Sequence, residues 1–275
     1  MRLRNYILFA LTISFINIGL MQAQNDSDSL TNSASEIKES SIGLLVNEAE
    51  VAYINKNFKE SIQLYEAQVS EHRSINQESA QIYYNLGNAY FRDNQIAKAI
   101  VNYERALLLD PGDSDIRHNL RFAKTRIEDK IDSADSLFIN KWIRSIQNLY
   151  SGNTWAIIGI VFFILLIIAI GLYMISVQIV LRKVAFYSGI VLLSLVIISN
   201  VFAFNQKNKI VNRSTAIIMS ASVSIYTSPD AHSQELFRLH EGAKVKIKRE
   251  EGRWIEIIIA NGSVGWMQKI NVETI

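Results

Sequence analysis

Two uncharged apolar runs constrain this chain more than any other feature. Trp155 to Val177 (WAIIGIVFFILLIIAIGLYMISV) and Val184 to Phe204 (VAFYSGIVLLSLVIISNVFAF) contain no Asp, Glu, Lys or Arg. Each approaches or exceeds the roughly 20 residues an α-helix needs to cross the hydrocarbon core of a bilayer. Trp155 and Tyr173 suit the aromatic belt at a membrane interface. Only residues 178–183 (QIVLRK) lie between the runs. That leaves room for a short turn, so a hairpin is expected: helix 155–177, turn 178–183, helix 184–204. Channels and pumps usually mark their path with ionisable side chains; with none in either run, the helices read as anchor and packing surface. Asn200, Ser194 and Ser199 are left to bond either a neighbouring helix or their own hairpin.

Orientation follows from the first residues. Arg2 and Arg4, the apolar stretch Tyr6 to Leu20, and small Ala23 form a secretory-signal pattern over residues 1–23. Met21 stands where a small residue is preferred, so an uncleaved anchor is the alternative. Residues 24–40 are polar and Ser-rich, too poor in apolar surface to order themselves, and read as a flexible tether. An exported N-terminal region puts Arg182 and Lys183 inside, as the positive-inside rule asks. Lys207 and Lys209 at the opposite end weigh against the charge argument, and the signal carries it. The expected location is the bacterial inner membrane, with both soluble regions on the periplasmic side.

The basic balance is not a nucleic-acid footprint. Residues 24–154 hold 14 Lys and Arg against 19 Asp and Glu, and residues 214–275 hold 7 against 7. The excess of positive charge therefore sits at the N-terminus and the membrane flanks, not on a folded face. With no cysteine, disulfides, thiolate metal sites and cysteine nucleophiles are excluded. His72, His118, His232 and His240 have no metal-ligand spacing, so neither metal nor cofactor is expected. No Ser–His–Asp set or carboxylate pair can be assembled, and no catalytic residue is assigned.

Residues 41–131 carry helical periodicity. Tyr83, Leu86, Gly87 and Tyr90 recur at helical spacing, then Ala99, Tyr103 and Ala106, then Pro111, with RDNQI as the turn between the two sets. Gly87 and Ala99 are small where two antiparallel helices must approach, and Tyr90 and Tyr103 fill the wider gaps. From Ala80 to Asp113 this resembles the tetratricopeptide repeat, with Tyr83 in place of its Trp and Tyr103 in place of its Phe. A weaker copy precedes it, in which Ala49, Ala52, Phe58, Ser61 and Tyr65 match Gly87, Tyr90, Ile96, Ala99 and Tyr103. A further helix with Leu120 and Ala123 facing back reads as the cap a solenoid end needs. The resemblance implies a concave, protein-binding groove: Gln81, Tyr84, Asn85, Asn88, Phe91 and Arg92 on the first helix of the strong copy, His118, Asn119 and Phe122 on the cap. The same residues also suit a solvated polar face.

Residues 132–154 place Phe138, Trp142, Ile146 and Leu149 on one helical face. That pattern fits an amphipathic helix on the membrane surface, or one packed against the preceding helices.

Beyond Arg213 the period changes to two. Short β-rich runs are punctuated by Pro229, Gly242, Gly252 and the hairpin signal Asn261–Gly262. Leu239, Gly242, Trp254, Ile257, Gly262, Gly265 and Trp266 match recurring positions of the bacterial Src-homology-3-like (SH3-like) barrel, which residues 214–275 resemble. Relatives bind cell wall or peptide with it. Tyr226 and Trp266 are the surface candidates for such contact, and Trp254 and Trp266 are also candidates for the barrel core.

The expected fold class is thus a multidomain membrane protein: an all-α tetratricopeptide-repeat solenoid, a two-helix transmembrane hairpin and a small all-β SH3-like barrel. In order of segments the chain resembles the BatE-type proteins of the Bacteroidetes aerotolerance operon. That resemblance implies a non-enzymatic scaffold with envelope proteins as partners, among them von Willebrand-type membrane proteins of the same operon, besides the lipid bilayer. The competing expectation is a wall-binding or sensory membrane protein whose barrel grips peptidoglycan.

Overall fold

The computed structural model describes residues 48–130 and 138–275. The expected signal, the tether and the first residues of the repeat region lie outside the described residues, as do 131–137. The helical unit comprises α1 (through 48–54), α2 (Phe58–Ser74), α3 (Ala80–Arg92), α4 (Ile96–Leu109) and α5 (Ser114–Lys124). Local chemistry sets these limits. The Ser79 hydroxyl accepts from the Ile82 amide at the start of α3. Asp113 Oδ1 accepts from the Asp115 and Ile116 amides at 2.7 and 3.1 Å, capping α5. The turns after α1, α2 and α3 each contain a residue with positive φ, at Lys56, Asn76 and Asn94. Asparagine tolerates that conformation well; Lys56 holds it at some cost.

Small residues let the helices approach. Ala49, Ala97, Ala99 and Ala123 are completely buried, and Ser61 Oγ donates to the Ala49 carbonyl at 2.9 Å. At Gly87 a Cβ would stand 2.7 Å from two ring carbons of Tyr103, so the α3–α4 crossing admits hydrogen only.

Two long apolar helices follow a short amphipathic one, α6 (Phe138–Gln147). They are α7 (Gly152–Ile175) and α8 (Ile179–Val211), both long and apolar enough to cross a membrane by length and composition. Residues 176–178 join them, so Arg182 and Lys183 fall within the first turn or so of α8. The pair is seamed by close contacts at Gly152 and Gly159, the latter against Ser199 and Asn200. Trp155 packs edge-on against Phe202 at 5.0 Å, and its Nε1 donates to the Gln147 carbonyl at 2.9 Å. Asn200 and Ser194 donate to Val196 and Ile190 carbonyls one turn back in their own helix. On α6, Ile139, Trp142 (61% exposed) and Ile143 are open to their surroundings.

The C-terminal strands are β1 (Thr215–Ile218), β2 (Ser222–Tyr226), β3 (Glu235–His240), β4 (Lys244–Glu251), β5 (Trp254–Ile258), β6 (Val264–Gln268) and β7 (Val272–Thr274). They form one antiparallel sheet in the order β3-β2-β6-β5-β4-β1-β7. The outer strands β3 and β7 do not pair, so the expected closed barrel is not formed by hydrogen bonding. Inward residues of six strands nevertheless meet in one cluster, including Ile218, Ile225, Leu239, Val245, Ile255 and Met267. Gly252 and Gly262 take positive φ at the β4–β5 and β5–β6 turns.

Period-two alternation decides the place of the tryptophans. Ile255 and Ile257 point into the cluster, which puts Trp254 on the other face of β5, half-buried and edge-on to Tyr226 at 5.8 Å. Trp254 is thus outside the core cluster. So is Trp266, which is 6% exposed beneath the Arg249 guanidinium.

The sheet docks on the helical unit. In β1, Ala216 and Ile218 face the sheet's own cluster, while Ile217 and Ile275 join the helical core. Gly242, at φ +88, meets Ile100 and Ile127. Around this apolar seam lie ion pairs: Arg105 with Glu273 at 2.9 Å, and buried Glu104 with Lys124 at 2.7 Å and Lys244 at 2.6 Å. Burial pushes the Glu104 carboxyl up, but the two ammonium groups more than reverse it, holding it below the usual range. His240 Nδ1 lies 2.9 Å from Asp129 Oδ1. That bond raises the imidazole pKa above its ordinary value.

Candidate protein-binding groove

Residues of α3 and α5 meet on the face formed by the first helices of the repeats. Asn119 Nδ2 donates to both the Tyr84 hydroxyl (3.0 Å) and Asn88 Oδ1 (2.9 Å). The Tyr103 hydroxyl, reaching across from α4, donates to the same Asn88 oxygen at 2.7 Å. Asn88 is therefore a node joining three helices. Its oxygen is committed inside the fold, and among the described residues only its Nδ2 remains to donate outward. Burial raises the Tyr103 hydroxyl pKa, so it stays a donor at neutral pH.

Beside the node is an aromatic step. Phe91 and Phe122 pack with ring centroids 5.5 Å apart. Phe122 remains 48% exposed, with the Arg126 guanidinium 5.5 Å over its ring. Tyr84, Asn88, Phe91, Asn119 and Phe122 of the expected set are thus brought together. The others are not. Arg92 stacks 5.0 Å over the Phe58 ring at the start of α2, Gln81 and Asn85 bond one another at 3.1 Å, and His118 is exposed one turn before Phe122. Arg126, four residues after Phe122 and so at the spacing of one helical face, was not among the expected residues; α5 ends at Lys124, and the turn that follows brings the guanidinium over the ring.

On the sheet, Tyr226 and Trp266 are direct cross-strand partners. Both lie with Trp254 and Arg249 on the side opposite the sheet's cluster, but Trp266 is buried there under Arg249, so of the two expected surface contacts only Tyr226 remains partly open.

The geometry defines a class: paired antiparallel helices stacked with a shared first-helix face. Residues 80–113 match the family profile of the tetratricopeptide repeat, a fold whose stacked units act as protein-interaction scaffolds. Among solved structures, the N-terminal domain of stress-induced protein-1 (STI-1) from C. elegans is similar, at 22% identity over 39% of this chain and 87% of that one, with a TM-score of 0.29. No curated protein matches the chain.

Proposed function

We propose that this protein is a non-enzymatic, membrane-anchored scaffold that holds an extended segment of a partner envelope protein in its repeat groove. The observation that carries the reading is the Phe91–Phe122 step beside Asn88: exposed aromatic surface next to an outward amide donor. Such a surface packs a side chain while the amide holds peptide backbone. The α7–α8 hairpin inserts in the inner membrane, α6 lies on its surface with Trp142 in the lipid interface, and both soluble units face the periplasm. The C-terminal sheet is an SH3-like barrel, left open between its end strands and docked on the solenoid. The likeness in segment order to BatE-type proteins supports partners of the von Willebrand type and a part in aerotolerance or stress resistance.

Photo-crosslinking in membranes tests the reading. A photoreactive residue at Phe122 should yield adducts with an envelope protein, and Phe122→Ala should lower recovery of that protein about tenfold or more. Adducts only from Tyr226 would move the site to the sheet. There the Tyr226–Trp254 pair favours a second reading, contact with peptidoglycan, to be checked by sedimentation with purified wall.

A further inference from the structure

A cavity of about 720 Å³ opens where the three parts of the molecule converge: the α4–α5 corner, the end of α6 with the last turns of α8, and strands β1 and β4. Its height relative to the hairpin is set by sequence. The apolar stretch of α8 ends at Phe204 and that of α7 begins at Trp155; Asn205, Gln206 and Lys209, which line the cavity, belong to the polar run 205–209 that follows directly in α8. If the hairpin spans a bilayer, the cavity stands at the headgroup layer.

Its charge is one-sided. Arg117, Arg144, Lys209, Lys244 and Lys246 line it, and Glu104 is the one acidic side chain among the lining residues. Glu104 is already shared by Lys124 and Lys244. Lys209 is held only by neutral groups, Asn148 Oδ1 at 3.2 Å and Gln206 Oε1 at 2.9 Å. Arg144 and Lys246 make no ion pair among the described residues. Clustered cations without a counter-charge repel one another, and an anion relieves that repulsion. A second observation points the same way. Gln147 lines the cavity and is buried, yet its Nε2 donor has no hydrogen-bond partner among the described residues. A buried orphan donor is costly, and a side-chain rotation that turned Gln147 into the cavity would let a phosphate oxygen satisfy it.

We propose that this cavity binds the phosphate headgroup of an anionic phospholipid in the leaflet at the open end of the hairpin. Arg144 and Lys209 supply the charge, and Gln147 a neutral donor. The same lipid would lie against α6, α8 and the sheet together, so it sets how the soluble units sit on the membrane. The inference rests on the hairpin spanning a bilayer.

The test uses the full chain in nanodiscs of phosphatidylcholine alone and of an equal mixture with phosphatidylglycerol. Insertion into both establishes the membrane reading separately; failure to insert in either ends that reading and this proposal with it. Native mass spectrometry of the inserted protein then reads retained lipid. The wild type should retain phosphatidylglycerol, and an Arg144→Gln, Lys209→Gln double variant should bind it roughly twentyfold or more weakly, taking about fivefold per basic group lost at the surface. Lys207→Gln removes a charge at the same height outside the cavity and should retain the lipid as wild type does. Matching far-UV circular dichroism for all three keeps the comparison to folded protein. Equal retention by the double variant, or equal loss in Lys207→Gln, overturns the site in favour of general surface attraction. Stabilisation by inorganic phosphate without retained lipid also overturns it, assigning the cavity to a soluble anion.

Discussion

Gly87→Ala is the sharpest test of the helical packing, because two effects of opposite sign meet at one position. Alanine in a helix interior is favoured over glycine by about 1 kcal/mol, so propensity alone predicts stabilisation. Against this, the new methyl would lie 2.7 Å from Tyr103 Cδ1 and Cε1, well inside contact distance. The ring cannot step aside: Tyr103 is fully buried on α4 and its hydroxyl is tied to Asn88. Overpacking of this kind costs about 1–3 kcal/mol. At two ring atoms the upper part of that range applies, leaving a net loss of about 1–2 kcal/mol. Hydrogen exchange of the full chain in detergent, followed on peptides from α3 and α4, should therefore run about 5–30-fold faster. In a Tyr103→Leu background the ring is gone and the helix preference remains, so the same Gly87→Ala change should slow exchange, by up to about fivefold. Slower exchange in the wild-type background, or the same effect in both, would refute the packing argument.

Two further outcomes concern the docked sheet. Gly242→Ala places a methyl against Ile127 at a φ that L-residues resist, and should cost about 2–4 kcal/mol, read as faster exchange of both β1 and α5 with α3 unaffected. The docking contacts should also be strongest at intermediate pH: Glu104, depressed below its ordinary 4.5, contributes above that value and is lost as pH falls through its folded pKa. His240, raised by Asp129 and, more weakly, Glu128 against the opposing Arg238, contributes fully below 6.5 and is lost as pH rises through its folded pKa. Glu104→Gln should flatten the acid side of an exchange profile of β1, and His240→Asn the alkaline side; an unchanged profile in either variant contradicts that assignment.

Features that depend on neighbours a few residues apart are legible along the chain. A 3.6-residue period with Gly87 and Ala99 at the crossing determines paired helices, since only small side chains admit so close an approach. Apolar runs without charge determine long helices, and Asn261–Gly262 a hairpin turn, because backbone conformation there is a local matter. Tertiary structure decided what depends on distant partners. Alternation along β5 separates Trp254 from Ile255 without saying which face is core, as both faces carry apolar residues; the packing of six strands settled it. Asn88 could be assigned to the concave side by period alone, but its oxygen is consumed by Tyr103 and Asn119, 15 and 31 residues away. Glu104 looks like any helix-surface carboxylate until Lys244, 140 residues on, is brought to 2.6 Å. Such pairings rest on how whole elements dock, and no short-range pattern in the chain encodes them.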